Sequence, residues 1–169
     1  MSITMYHASV PQFIRMLGNL KALLEKAAAH AAAKKIDESV LLGARLFPDM
    51  FPLTRQVQIA TDFARGTGAR LAGMEPPPVE DKEQSFVELA ARVDNAIAYL
   101  RTLPAAQIDG SEKREITRAI RGVPKTFTGL DYLVKYALPN FYFHLSTTYA
   151  ILRHNGVEVG KGDFVGTFA

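Results

Sequence analysis

The chain is predicted to be all-α, an up-down four-helix bundle with a short irregular or hairpin insert before the last helix. Three observations carry this. Four long segments repeat apolar residues at threes and fours, the spacing of one helix face. Proline and glycine punctuate the intervals between them. The 169 residues contain no cysteine, so the core has to be closed by apolar packing, which a domain of this length can do unaided.

The first helical pattern covers roughly residues 2–33, through Val10, Ile14, Leu17, Leu24 and Ala28. Pro11 interrupts it, and a proline inside a helix costs about 3 kcal/mol. Ser9-Val10-Pro11-Gln12 reads as a capping box, so the helix either starts at Ser9 or is kinked there. Lys34 and Lys35 suit its C-terminus. Asp37 is placed to cap a short helix over 38–46. Pro48 and Pro52 bracket the entry to the second long helix, about 49–72, with Leu53, Val57, Ala60, Ala64 and Leu71 on one face. Gly73 and Pro76-Pro77-Pro78 end it.

The third helix, about 82–103, has the most regular seam: Phe86, Leu89, Val93, Ala96, Leu100 and Leu103. That alternation of threes and fours is the signature of bundle packing. Pro104 stops it. Residues 104–127 alternate Ile116, Arg118 and Ile120 before Gly122 and Pro124, a pattern for a short hairpin. Thr128-Gly129-Leu130-Asp131 resembles a capping box for a last helix that runs to about residue 155, with a kink near Pro139 and Gly156 as C-cap. Residues 157–169 read as an irregular C-terminal tail, and residues 1–169 as a single domain.

Composition excludes several functions. Without cysteine there is no disulfide, Fe–S cluster or thiolate-held zinc, and four histidines leave room for one histidine-based metal site. The net charge of +3 is dispersed, without the basic stripe and interleaved aromatics of a nucleic-acid binder. No apolar run reaches the roughly 20 residues of a membrane helix. The N-terminal residues lack the charged and apolar regions of a signal peptide. A cytoplasmic protein without nucleic-acid or membrane partners is expected. Glu-x-x-His, His-Glu-x-x-His, Gly-x-Ser-x-Gly and P-loop motifs are absent.

The chemistry-bearing stretch is Pro139 to Gly156. Asn140 and His144 are four apart and share a helix face that continues through Thr148 and Ile151. Two readings stand: a core histidine held by an amide, the commoner fate of a buried polar group, and a pocket position. On the second helix, Gln56 lies near the apolar stripe. Gln58 lies with Asp62, Arg55 and Arg65 on another face, a solvated or inter-helix salt-bridge surface in the plainer reading. His7 would reach His144 if the two helix starts share an end of the bundle. His30 and His154 receive no function.

His144, Leu152-Arg153 and Gly156 resemble the end of the last helix in the DinB/YfiT-like metalloenzyme superfamily. Met5 to Pro11, Pro48 to Ala60, Leu138 to His144 and Gly160 to Phe164 are similar to an uncharacterised family of unknown function related to it. The resemblance implies a four-helix bundle, a homodimer, and, in metal-bearing members, three histidines around a divalent metal. Here Asn140 stands for one of those histidines and Gln58 for another, leaving His144. Amides are poor ligands for zinc or nickel. The expected protein therefore has a degraded metal site and a polar pocket at one bundle end, formed by Asn140, His144, His7, Gln56, Gln58 and Asp62 and open to a small molecule. The alternatives are a metal-dependent transferase or hydrolase-like enzyme using His144 as ligand or base, and a non-catalytic dimeric scaffold.

Overall fold

A computed structural model describes residues 3–167. Helix α1 spans Val10–Lys34, α2 Glu38–Leu42, α3 Leu53–Leu71, α4 Phe86–Arg101 and α5 Ala105–Ile108. Strands β1 (Glu115–Ile120) and β2 (Val123–Thr128) form an antiparallel hairpin. The last long helix is continuous but changes pitch: α6 (Gly129–Asp131), a π-helical stretch Tyr132–Ala137, then α7 (Leu138–His154). A short helix α8, Lys161–Val165, follows. The protein is mostly helical, with one two-stranded sheet.

Helices α1, α3, α4 and α7 share one apolar core that includes Phe13, Leu17, Leu53, Val57, Leu89, Val93, Phe141 and Ile151. Helix α1 packs on α4, α4 on α3, and α3 on α7. The expected up-down alternation does not hold. Thr61 of α3 meets Arg92 of α4, and a Cβ added at Gly68 would lie 2.9 Å from Leu100. Both contacts advance along the two chains together, so α3 and α4 run parallel. Helix α1 opposes them, since Val10 lies beside Gly68. Helix α7 also opposes α3, because Gln56 meets His144 while Arg70 meets Tyr132. The order is up-down-down-up. It requires a return crossover, and residues 72–85 supply one. Extended, they span up to roughly 46 Å, against about 28 Å for α3. Pro76-Pro77-Pro78 keeps that strap extended, and it is held along α3 and α4 by Arg65, Arg92 and Gln58.

Local signals explain most of the ends. Asp37 accepts from the Ser39 amide and Ser85 from the Glu88 amide. Thr128 accepts from the Asp131 amide. Lys35 takes a left-handed conformation, closing the Lys35 and Ile36 amides on Ala32 and Ala31. Ser9 precedes α1 without capping it. Its hydroxyl instead donates back to the Met5 carbonyl at 2.6 Å, which holds residues 5–9 in turns. Arg121 and Gly122 both have positive φ, the requirement of a two-residue hairpin turn that follows the twist of the strands.

The π stretch has a cause in Pro139, which lacks an N–H for the preceding turn. The expected kink is thus a widened turn. The described part of the tail, residues 157–167, is more ordered than expected. Asp163 accepts from the Gly160 amide and pairs with Lys26. Asn19 and Arg15 of α1 hold the Val165 carbonyl.

Candidate functional site

His144 sits on α7 with its side chain turned to α3 and is 8% exposed. Its Nδ1 lies 2.7 Å from Oε1 of Gln56. The Gln56 amide nitrogen donates to the Phe51 carbonyl at 3.0 Å, which fixes the amide's orientation. An amide oxygen only accepts, so the imidazole proton is on Nδ1. Phe63 stacks on the ring with planes 20° apart, and Phe143 meets it edge-on. Burial, with the nearby Arg55 cation adding, pushes the imidazole down to about 4. His144 is neutral at physiological pH.

The other residues named from the sequence go elsewhere. Asn140 donates to the Tyr136 carbonyl at 2.7 Å within the widened turn, so the amide holding His144 comes from α3. His7 is exposed and paired with Thr4, and the neighbouring Tyr6 amide donates to Asp109. That is the Val10–Gly68 end of the molecule. Gln56 lies twelve residues back along α3, about 18 Å away. Because α1 and the last helix both oppose α3, their starts share that end, but His144 lies twelve residues beyond Tyr132, beside Gln56 at the other end of α3, and His7 does not reach it.

Gln58 and Asp62 belong to an ion network centred on Arg92. Its Nη2 lies 2.8 Å from Asp62 and 2.9 Å from Asp81, and its Nη1 lies 3.0 Å from Glu83. Its Nε donates to Thr61 at 2.8 Å. Gln58 donates to Glu83 at 2.8 Å and accepts from Arg55. Burial acts to raise Glu83, but the hydrogen bonds from Gln58 and Arg92 outweigh it and hold the carboxyl below its ordinary range. Burial pushes Asp62 up, with Asp81 adding to it, despite Arg92. Arg92, 4% exposed, escaped the sequence reading. Its signal was present: it falls three residues after Leu89 and four before Ala96, a charge beside a buried seam.

A cleft of about 320 Å³ opens on the face of α3 under the strap. Arg55, Phe63 and Arg70 of α3, Arg118 of the hairpin, and Tyr132 and Tyr136 of the last helix line it. Of the six pocket residues expected, only Asp62 reaches this lining. His144 lies behind Phe63. Arg55 and Arg65 stand out in the sequence as a charged face and Pro76-Pro77-Pro78 as a break, but nothing in the sequence joins them, since the cleft depends on a crossover that brings the strap back over α3.

No described group of three or more histidine, cysteine or acidic side chains has a metal-holding arrangement. The implied three-histidine donor set does not fit this geometry. Gln56, Gln58 and Asn140 each spend their amides on protein partners, and the Arg55 cation stands close to the remaining imidazole. Among the described residues, no helix is long and apolar enough to cross a membrane.

The fold, with its strap and hairpin, is shared with a DinB family member protein of known structure. The crystal structure of a DinB family member protein from Shewanella denitrificans at 1.83 Å resolution matches with a TM-score of 0.91. The identity is 43%, over 96% of this chain and 92% of that one. The family model described as a domain of unknown function, DUF1993, matches residues 5–165, and the chain belongs to that family. A search of curated proteins finds no match.

Proposed function

We propose that this protein binds a small molecule in the cleft between α3, the strap and the hairpin, and that it works without a resident transition metal. The carrying observation is the cleft itself: a concavity of ligand size, with aromatic walls and convergent polar groups. The four long helices are read as a four-helix bundle in up-down-down-up order. The Gln56–His144 pair serves as a positioning unit that backs Phe63, one wall of the cleft. A neutral imidazole with its Nδ1 proton committed to an amide has Nε2 left as an acceptor, which suits orientation of a neighbouring group. Cytoplasmic placement and a homodimer belong to the same proposal. Phe143, 56% exposed, gives a dimer an apolar surface to cover.

The test joins ligand and metal measurements. A fragment collection is screened by NMR against the full chain, with the Phe63 and Tyr136 rings as reporters. Fragment-induced shifts at those rings are expected, together with substoichiometric zinc, nickel and manganese in protein purified without chelators. Stoichiometric metal that disappears in His144→Ala would overturn the metal-free reading and favour the metalloenzyme. Silence of both rings to every fragment would leave a scaffold.

A further inference from the structure

The cleft is unusually rich in guanidinium groups. Arg55, Arg65, Arg70 and Arg118 line it, against one carboxylate, Asp62, which is already paired to Arg92. Buried charge is costly unless paired and hydrogen-bonded, so the partners of the four arginines matter. Arg55 has Asp81. Arg65 donates to the Pro77 carbonyl and lies over the Tyr99 ring, with burial pushing it below the ordinary arginine range. Arg70 reaches the Tyr132 hydroxyl at 3.4 Å and stands 3.8 Å from Glu75, a side chain that is 86% exposed. Its Nε is enclosed and has no acceptor. Arg118 has no acidic partner among the described residues.

Two further features point the same way. Gly66 leaves the space that the Arg70 guanidinium occupies: a Cβ there would collide with Nη1. On the hairpin, Arg118 is directly opposite Lys125, and like charges in that position repel. One step along the same face, Ile116 opposes Phe127, and Phe127 stacks on Tyr136 with planes 26° apart. The hairpin thus carries apolar packing at its root and paired positive charge beside the cleft. Phe63 packs against Tyr136 at 5.6 Å, giving an aromatic floor beneath the charges.

The geometry points to a small anion as the ligand: a phosphate or carboxylate carried on a planar ring, with Arg118 and Arg70 on the anionic group and Phe63 and Tyr136 on the ring. This rests on the proposed binding role of the cleft and adds the chemical class. The guanidinium fork matches both anions bidentately, so the shared chemistry is the anionic head and the ring. Asp62 and Glu75 oppose polyanions reaching past the rim, which favours a small molecule.

Calorimetric titration of the full chain with phenyl phosphate, benzoate, inorganic phosphate and phenol tests it. Phenyl phosphate or benzoate is expected to bind, more tightly than phosphate or phenol, and with an affinity that falls as salt rises. Arg118→Met should weaken binding about tenfold, the scale of one charge-assisted contact. Gly66→Ala should weaken it by displacing the Arg70 guanidinium, while Arg153→Met, distant in sequence and exposed, should leave it unchanged. Arg118 lies on a half-exposed strand face, so Arg118→Met keeps the fold intact; unchanged thermal melting confirms that. Phenol binding as well as phenyl phosphate, or an Arg118→Met titration identical to wild type, overturns the anionic class while the small-molecule role stands. A cleft that takes up none of these probes, and no neutral fragment, removes both.

Discussion

His144 and Gln56 hold each other in place across α7 and α3: the imidazole Nδ1–H donates to an amide oxygen 2.7 Å away, and that amide is itself pinned to the Phe51 carbonyl. One chain of hydrogen bonds thus joins the entry to α3, its first turn and the middle of α7. It fixes the imidazole tautomer and, through Phe63, a wall of the cleft.

The first consequence is a pH dependence of stability. The folded-state pKa of about 4 lies below the roughly 6.5 of an unfolded-chain histidine. Between those values the unfolded state binds more protons, so stability rises with pH. His144 therefore imposes no penalty above about pH 6.5 and withdraws stability as pH falls towards 4, by about 2.5 kcal/mol at pH 4.5. Urea titrations between pH 4.5 and 7 measure this. In His144→Gln the part of the slope between pH 4.5 and 6.5 should flatten; an unchanged slope would assign the acid sensitivity to other groups.

Breaking the same pair from the other side has two distinct outcomes. Gln56→Leu leaves a buried Nδ1–H without an acceptor and should cost about 1–3 kcal/mol. Gln56→Glu puts a carboxylate where the amide oxygen was, so the histidine gains an opposite charge and its pKa rises. NMR titration of the ring carbons should then find His144 protonating well above pH 4. A pKa that stays near 4 in Gln56→Glu would show that the contact does not govern this histidine.

The sequence reading of helices succeeded where periodicity and caps agree. Asp37, Thr128, Gly73 and Gly156 mark real ends because their chemistry is local; Ser85, which caps α4, had no place in the reading. The hairpin was legible from the alternation of Ile116, Arg118 and Ile120. Direction was not. Alternating helices are the economical arrangement for short connections, and only the length of residues 72–85 hinted that α4 could run parallel to α3. That single reversal determines the site. It lays Asp81 and Glu83 against Arg92 and roofs the cleft with Pro77. Helical geometry placed Gln56 near the buried stripe, and the structure puts it on His144. The face of Gln58 and Asp62 reads from the sequence as solvated or as an inter-helix salt-bridge surface; the strap covers it and makes it the ion network of Arg92.

Arg92 should be among the most sensitive positions in the chain. It is the common partner of Asp62, Asp81 and Glu83 and also donates to Thr61. Arg92→Met keeps much of the side-chain length but leaves Glu83, itself nearly buried, with Gln58 as its main donor. Losing one member of a buried ion network costs about 3–5 kcal/mol. Arg92→Lys should recover only part of this, because one ammonium cannot reproduce a fork that contacts three carboxylates. Guanidinium chloride unfolding separates the cases. A loss below about 1 kcal/mol for Arg92→Met would class the network with weak surface pairs.

Two glycines should respond in opposite senses to the same added methyl group. Gly18 lies in the interior of α1, exposed, and an added Cβ meets no atom within 4 Å. Gly18→Ala should therefore stabilise the protein by about 0.5–1 kcal/mol, the difference in helix propensity. Gly129 opens α6, where the hairpin passes into the last helix. A Cβ there would overlap the backbone carbonyl of Ser111. Backbone yields less readily than a side-chain tip, so Gly129→Ala has to move either the Ser111 turn or the start of α6. Thr128 then loses alignment with the Asp131 amide it caps, and Tyr132, the first residue of the π stretch, shifts against the cleft. A destabilisation of about 1–3 kcal/mol follows, in the range of overpacked cores. Paired thermal melts of the two variants test this directly. Equal melting temperatures for Gly129→Ala and the parent would mean that the hairpin is free to move relative to the last helix, and Arg118 would then not be held over the cleft.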